Sequence, residues 1–179
     1  MTDSTVFVTV IVRLIHEKCE QAVGHSEVII FIDFDGCLHP MPLDKRGALC
    51  HVKRVQDILR DFTEVSLVIS SSWREVMSVS ELVSLFPEEV GKRIVGITPV
   101  LSQDAIHLRY AEILAWLLDA GYDGDWIALD DASHEFPIGC PDLLYCNPRR
   151  GFDAAKAREL RARLWHLRGQ HGHVNSSDR

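Results

Sequence analysis

Asp33 and Asp35 are the residues of this chain best placed to do chemistry. They stand in Val28-Ile29-Ile30-Phe31-Ile32-Asp33-Phe34-Asp35-Gly36, where an apolar run leads straight into two carboxylates one residue apart. Such a run reads as a strand over 28–34 that is buried on both faces. Gly36 breaks it, so the acids lie at its C-terminal end, where open α/β sheets place their ligand crevices. At i and i+2 of a strand the two side chains share a face. Carboxylates that close repel each other unless a cation or a shared proton compensates. The chemistry that follows is metal-assisted, with one carboxylate as nucleophile or ligand. Taken alone, the D-x-D-G stretch fits a solvated turn closing a strand equally well.

Three further segments bear on that choice. The apolar run 65–69 empties into Ser70-Ser71-Ser72-Trp73-Arg74. Hydroxyls and free backbone N–H groups at a strand end can hold a phosphate, or they can cap the following helix. Trp73 reads as a core residue or a stacking platform, and Arg74 as a surface charge or a ligand. Arg109 opens a helical pattern. Its permanently charged, planar fork suits a bridge between phosphate and carboxylate, while an ordinary pair with Glu112, three residues on, is the plain alternative. Lys92 and Arg93 are substitutes for that cation. In Trp126-Ile127-Ala128-Leu129-Asp130-Asp131 a short strand again ends in two acids. A hard cation such as Mg²⁺ takes oxygen ligands of this kind, and a solvated loop is the other reading.

The elements that must position these groups alternate. Strand-like runs fall at 28–34, 65–69, 94–97, 126–129 and 143–146. Between and after them, helical spacing is set by Val52, Val55, Ile58, Leu59 and Phe62, by Tyr110, Ile113, Leu114 and Leu117, and by Ala157, Leu160, Leu164 and Leu167. Strand–helix alternation implies βαβ units and a parallel sheet. Right-handed crossovers then bring successive strand ends to one edge.

The chain has 179 residues, a length for one domain, and 46% hydrophobic residues, enough for a full core. A net charge of −7 argues against a broadly basic nucleic-acid surface but leaves room for a local patch. Five cysteines without a C-x-x-C pair suggest reduced thiols. The apolar stretch 6–15 is interrupted by Arg13 and falls short of the ~20 residues of a membrane span. Met1-Thr2-Asp3-Ser4 lacks the basic start of a signal peptide. A cytoplasmic protein without a membrane partner is expected. Residues 1–27 read as an extension that packs on the domain or binds a partner, 28–168 as the catalytic domain, and 169–179 as a flexible polar tail.

Four motifs thus follow in order: D-x-D-G, serine at a strand end, a basic residue opening a helix, and an acidic pair at a strand end. This order resembles the haloacid dehalogenase (HAD) superfamily of phosphatases and phosphotransferases, over about 28–164. Asp33-Phe34-Asp35-Gly36-Cys37-Leu38-His39-Pro40, Ser71-Ser72-Trp73-Arg74, Arg109 with Glu112-Ile113, and Leu129-Asp130-Asp131 further resemble the HAD domain of multi-enzyme, Swiss-army-knife RNA repair proteins. The resemblance implies a Rossmannoid three-layer α/β sandwich with a mainly parallel central sheet. It implies Asp33 as nucleophile and Asp35 as general acid and base. Mg²⁺ would be held by Asp33, the Asp35 carbonyl and Asp131, with Asp130 acting through water. Ser70 or Ser71 and Arg109 would bind the phosphoryl group. His39, Trp73 and Arg74 would form a substrate rim, His39 alternatively capping the loop after the first motif, with Arg149 and Arg150 further candidates. Arginine at the third motif departs from the commoner lysine.

Superfamily members often carry a cap, inserted after the first motif or between the second and third. Neither 36–65 nor 73–109 leaves room for one, since domains below about 40 residues rarely fold unaided. The expected activity is a Mg²⁺-dependent phosphatase with an open site, acting on an exposed or bulky phosphate such as a nucleic-acid end, a nucleotide or a phosphoprotein. The rival readings are a non-catalytic binding or regulatory relative, and a D-x-D nuclease or sugar transferase.

Overall fold

The computed structural model describes residues 28–102 and 106–174, with side chains to 170. The N-terminal extension expected over 1–27 lies outside the described residues. Five strands form one parallel sheet: β1 (Val28–Ile32), β2 (Val65–Ile69), β3 (Ile94–Ile97), β4 (Trp126–Asp130) and β5 (Leu143–Tyr145). Their spatial order is β3-β2-β1-β4-β5. The sheet is Rossmannoid, with β1 at its centre, and each residue of β1 is buried.

The alternation of β1 side chains builds two cores. Val28, Ile30 and Ile32 face α1 (Val52–Asp61), through Val55, Ile58 and Leu59, and α5 (Ala154–Val174), through Leu160 and Leu164. Two short helices, α2 (Val79–Ser84) and α3 (Glu88–Gly91), add Leu82 and Val90 to this layer. Ile29 and Phe31 face α4 (Leu108–Asp119), through Ile113, Trp116 and Leu117. Burying one such aliphatic or aromatic side chain contributes about 1.5–3 kcal/mol, and Phe31 adds edge-on contacts to Trp116 and Trp126 at 5.5 and 5.7 Å.

Among the described residues, neither 36–65 nor 73–109 holds a second core, and the domain has no separate cap. No described helix is long and apolar enough to cross a membrane. Two sequence expectations shift. β1 ends at Ile32 rather than 34, so both acids lie beyond the strand. The last helix runs through Gly169 to Val174, where a flexible tail is expected from 169; residues 175–179 are outside the described set.

Candidate active site

The pairing register brings the motifs together. Ile32 lies beside Ile69 on one side and Leu129 on the other. One residue further, the ladder continues: Asp33 N–H donates to the Leu129 carbonyl at 3.0 Å and Ser70 N–H to the Ile32 carbonyl at 3.1 Å. Cys146 N–H donates to the Asp130 carbonyl at 2.9 Å. The acids, the serines and the end of β4 therefore share the C-terminal edge of the sheet because three strands stop in register.

Asp33, Asp130 and Asp131 converge there, each with a ligand-capable oxygen within 4.8 Å of the others. Asp33 and Asp130 are buried, and Asp131 is half-buried. Arg109, at the start of α4, faces them: Nη1 is 3.5 Å from Asp33 Oδ1 and Nε is 3.7 Å from Asp130 Oδ2. Those separations give charge attraction without a closed hydrogen bond, and Arg109 Nη1 and Asp130 Oδ2 are buried without a hydrogen-bond partner. Asp130 Oδ1 accepts from Ala132 N–H at 2.8 Å. One arginine against three carboxylates leaves an excess of negative charge, and an all-oxygen set with an unpartnered buried oxygen suits a hard divalent cation. The residues present thus fit Mg²⁺. Gly36 closes the other side. Its φ is +68°, and a Cβ there would stand 2.1 Å from Asp131 Oδ2, so glycine is required both by the backbone and by the neighbouring carboxylate.

Burial, then the charge of Asp130, pushes the Asp33 carboxyl up to about 7, against the pull of Arg109, the Phe34 N–H and the Ser71 hydroxyl. The carboxyls of Asp130 and Asp131 are also raised, in both cases chiefly by burial. A carboxyl raised on folding binds protons that the unfolded chain has already released. Its contribution therefore favours the fold at acid pH and is lost as pH rises from the ordinary carboxylate range to about 7. In chelator, the melting temperature of the wild type should fall between about pH 5 and about pH 8, and Asp33→Asn should flatten that fall. At the upper pH the variant should be the more stable by about 1–3 kcal/mol. Thermal melts across that range check this, and identical slopes would remove Asp33 as the strained charge.

The second motif separates into parts. Ser70 is buried, and its carbonyl accepts from Arg74 Nη1 at 2.7 Å. The Ser71 hydroxyl is near enough to Asp33 to favour its carboxylate but closes no hydrogen bond, there or elsewhere. Ser71 is thus the hydroxyl left open beside the acids. Trp73 is half-buried and donates from Nε1 to Asp35 Oδ2 at 2.8 Å.

Two residues expected on the rim are not there. Arg74 is buried: Nε donates to the Thr98 carbonyl at 3.1 Å, and Nη2 is hydrogen-bonded to Glu112. The pair tethers the serine loop to α4 one turn beyond Arg109. It also engages Glu112, the residue that the plain alternative reading paired with Arg109. Breaking one partner of such a buried pair costs about 3–5 kcal/mol. His39, 1% exposed, lies under the site with Nε2 3.0 Å from Asp35 Oδ1. Lys92 and Arg93 are not near the acids in the ladder: Lys92 pairs with Glu88, and Arg93 Nη2 donates to the Thr63 carbonyl at 2.6 Å.

Sequence reading passed over Thr98 and Glu135, and took Glu112 only as a neighbour of Arg109. Thr98 follows β3 at the same edge, its hydroxyl buried without a partner; a polar residue just past a strand was the available signal. Glu135 Oε2 accepts from Arg109 N–H at 3.3 Å and helps fix the start of α4. Arg149 and Arg150 are exposed on the loop whose Pro148 carbonyl takes Met41 N–H at 2.7 Å, next to the segment that follows Asp35.

A parallel sheet that collects its acids at one edge in this way is the Rossmannoid fold of HAD-type hydrolases. Within that class, the chain belongs to the family described as the HAD domain in Swiss Army Knife RNA repair proteins, whose model matches residues 29–157. Comparison with curated proteins and with solved structures finds no match.

Proposed function

We propose that the protein is a Mg²⁺-dependent phosphomonoesterase that works through a phosphoaspartate. The observation that carries this reading is the meeting of Asp33, Asp130, Asp131 and Arg109 at one sheet edge. Asp33 attacks phosphorus, and the bond from phosphorus to the ester oxygen breaks. Asp35 gives its proton to that leaving oxygen. Asp35 then takes a proton from water, whose oxygen attacks the acyl phosphate and releases inorganic phosphate and free Asp33. This joins covalent and general acid–base catalysis. Arg109 and the Ser71 hydroxyl hold the phosphoryl oxygens, where charge builds in the transition state. Mg²⁺, held by Asp33, Asp131, the Asp35 carbonyl and Asp130 through water, would offset repulsion between carboxylates and phosphate.

The substrate presents an exposed or bulky phosphate. Without a cap the site cannot wrap a small metabolite, so binding energy must come from groups around the opening. Arg149, exposed on the loop beside the segment that follows Asp35, replaces the buried Arg74 as a candidate. Family membership supports a nucleic-acid end, and phosphate pairing is one way of gripping a strand. A 3′-phosphorylated oligonucleotide should be hydrolysed with a higher kcat/KM than mononucleotides or sugar phosphates. That preference should fall with salt, and fall again in Arg149→Ala. A strong preference for a small sugar phosphate in the same assay would overturn the open-site argument.

A further inference from the structure

Asp35 is the exposed member of the acidic pair, its side chain 38% accessible. It sits past the end of β1 on a loop whose next turn is closed by Leu38 N–H on the Phe34 carbonyl at 2.8 Å. Nothing in the sheet fixes the plane of its carboxyl. In the mechanism above that plane decides whether the acid reaches the leaving oxygen, and misplacement by about 1 Å can cost on the order of 100-fold in rate.

Two donors hold it. The indole Nε1–H of Trp73 reaches Oδ2 at 2.8 Å, and an indole nitrogen can only donate. His39 Nε2 lies 3.0 Å from Oδ1. On the far side of the same ring, Nδ1 accepts the Leu49 N–H at 3.4 Å, which assigns the ring proton to Nε2 and makes this nitrogen the donor toward Asp35. Each carboxyl oxygen offers two lone pairs, so one on each stays free for a proton.

The donors are themselves fixed. The His39 ring is buried beneath the site, 6.1 Å from the Trp73 ring. Trp73 stands edge-on to the buried Phe34 at 5.4 Å. Its neighbour Arg74 is bound to the Ser70 and Thr98 carbonyls and to Glu112. A rigid framework thus reaches an exposed acid from two sides.

We propose that His39 and Trp73 are positioning residues that clamp the two oxygens of Asp35 and aim it at the leaving group. The proposal rests on the phosphatase reading. It turns two residues expected at the substrate rim into parts of the proton-transfer apparatus.

A purely structural role predicts lost stability, or equal losses on all substrates. A positioning role predicts a loss that grows as the leaving group needs its proton more. Phenyl phosphate and p-nitrophenyl phosphate have nearly the same shape, and the nitrophenolate departs far more readily without a proton. Trp73→Phe keeps the aromatic packing and removes the N–H. It should lower kcat on phenyl phosphate about tenfold, with less effect on p-nitrophenyl phosphate and little change in KM. His39→Ala should show the same selectivity, and His39→Gln, whose amide can donate, should recover part of it.

A readout apart from activity is the indole N–H resonance of Trp73, assigned by its absence in Trp73→Phe. It should lie downfield and move upfield in Asp35→Ala. A resonance that stays in place would overturn the clamp. Equal losses on both esters, or none, with Asp33→Asn inactive, would overturn the positioning role alone. Full turnover in Asp33→Asn would instead remove the phosphatase reading on which it stands.

Discussion

Asp33→Asn should lose turnover by on the order of 10⁴-fold or more, the scale of removing a covalent nucleophile, while keeping the fold. The carboxyl lies at the end of the central strand, where backbone pairing to Leu129 holds the residue whatever its side chain. Asparagine has nearly the same shape, so Arg109, 3.5 Å away, meets no clash. An amide oxygen is a very poor nucleophile toward phosphorus. The substitution also removes a buried charge, so the activity loss would come with equal or greater stability, and a stable inactive protein separates chemistry from folding. Rapid quench with a labelled phosphomonoester should trap an acyl phosphate on the wild type and none on the variant. A nuclease or a sugar transferase with a D-x-D metal site needs no phosphoenzyme, and neither does a binding module, so the same measurement separates the phosphatase reading from both rivals. Substantial activity in a preparation of the variant free of host phosphatase would remove the mechanism.

The strands were legible in the sequence because each is a short apolar run stopped by a polar residue. Their ends fall within two residues of the expected positions, and the largest miss is at β1, whose regular pairing stops before the acids rather than between them. The motif order was legible for the same reason: Asp33, Ser70 and Asp130 are the punctuation that ends strands. Residues joined across the chain were not. Arg74 has the local look of a surface charge, and only the arrival of Glu112, 38 positions later, makes it a buried anchor. Trp73 and His39 resembled rim residues because their shared partner, Asp35, is reached by one from the loop after β2 and by the other through a turn. Helices α2 and α3, of 6 and 4 residues, are too short to display a period. The first is marked instead by a capping box between Ser78 and Glu81, a local signal that spacing arguments do not weigh.

Removing divalent metal should abolish turnover, and Asp131→Asn should weaken Mg²⁺ binding more than Asp130→Asn, by about tenfold or more. The difference follows from what each carboxyl already does. Asp130 is buried, with Oδ1 held by the Ala132 N–H and Oδ2 facing Arg109 at 3.7 Å. It thus fixes the loop after β4 and attracts Arg109. Asp131 is half-buried and sits against the bare backbone of Gly36, so it has room to turn toward an ion. Both carboxyls feel the charge of their neighbours, and a bound cation relieves that repulsion more than one arginine does. Titration calorimetry with Mg²⁺ on the two variants reads the ranking directly, and equal affinities would count against Asp131 as the direct ligand. Magnesium should also reverse the loss of stability toward neutral pH, because it compensates the same carboxylates that a proton compensates in acid. Undiminished hydrolysis after exhaustive chelation would leave the three acids without their proposed purpose, and the reading of this sheet edge as a phosphatase site would fall with it.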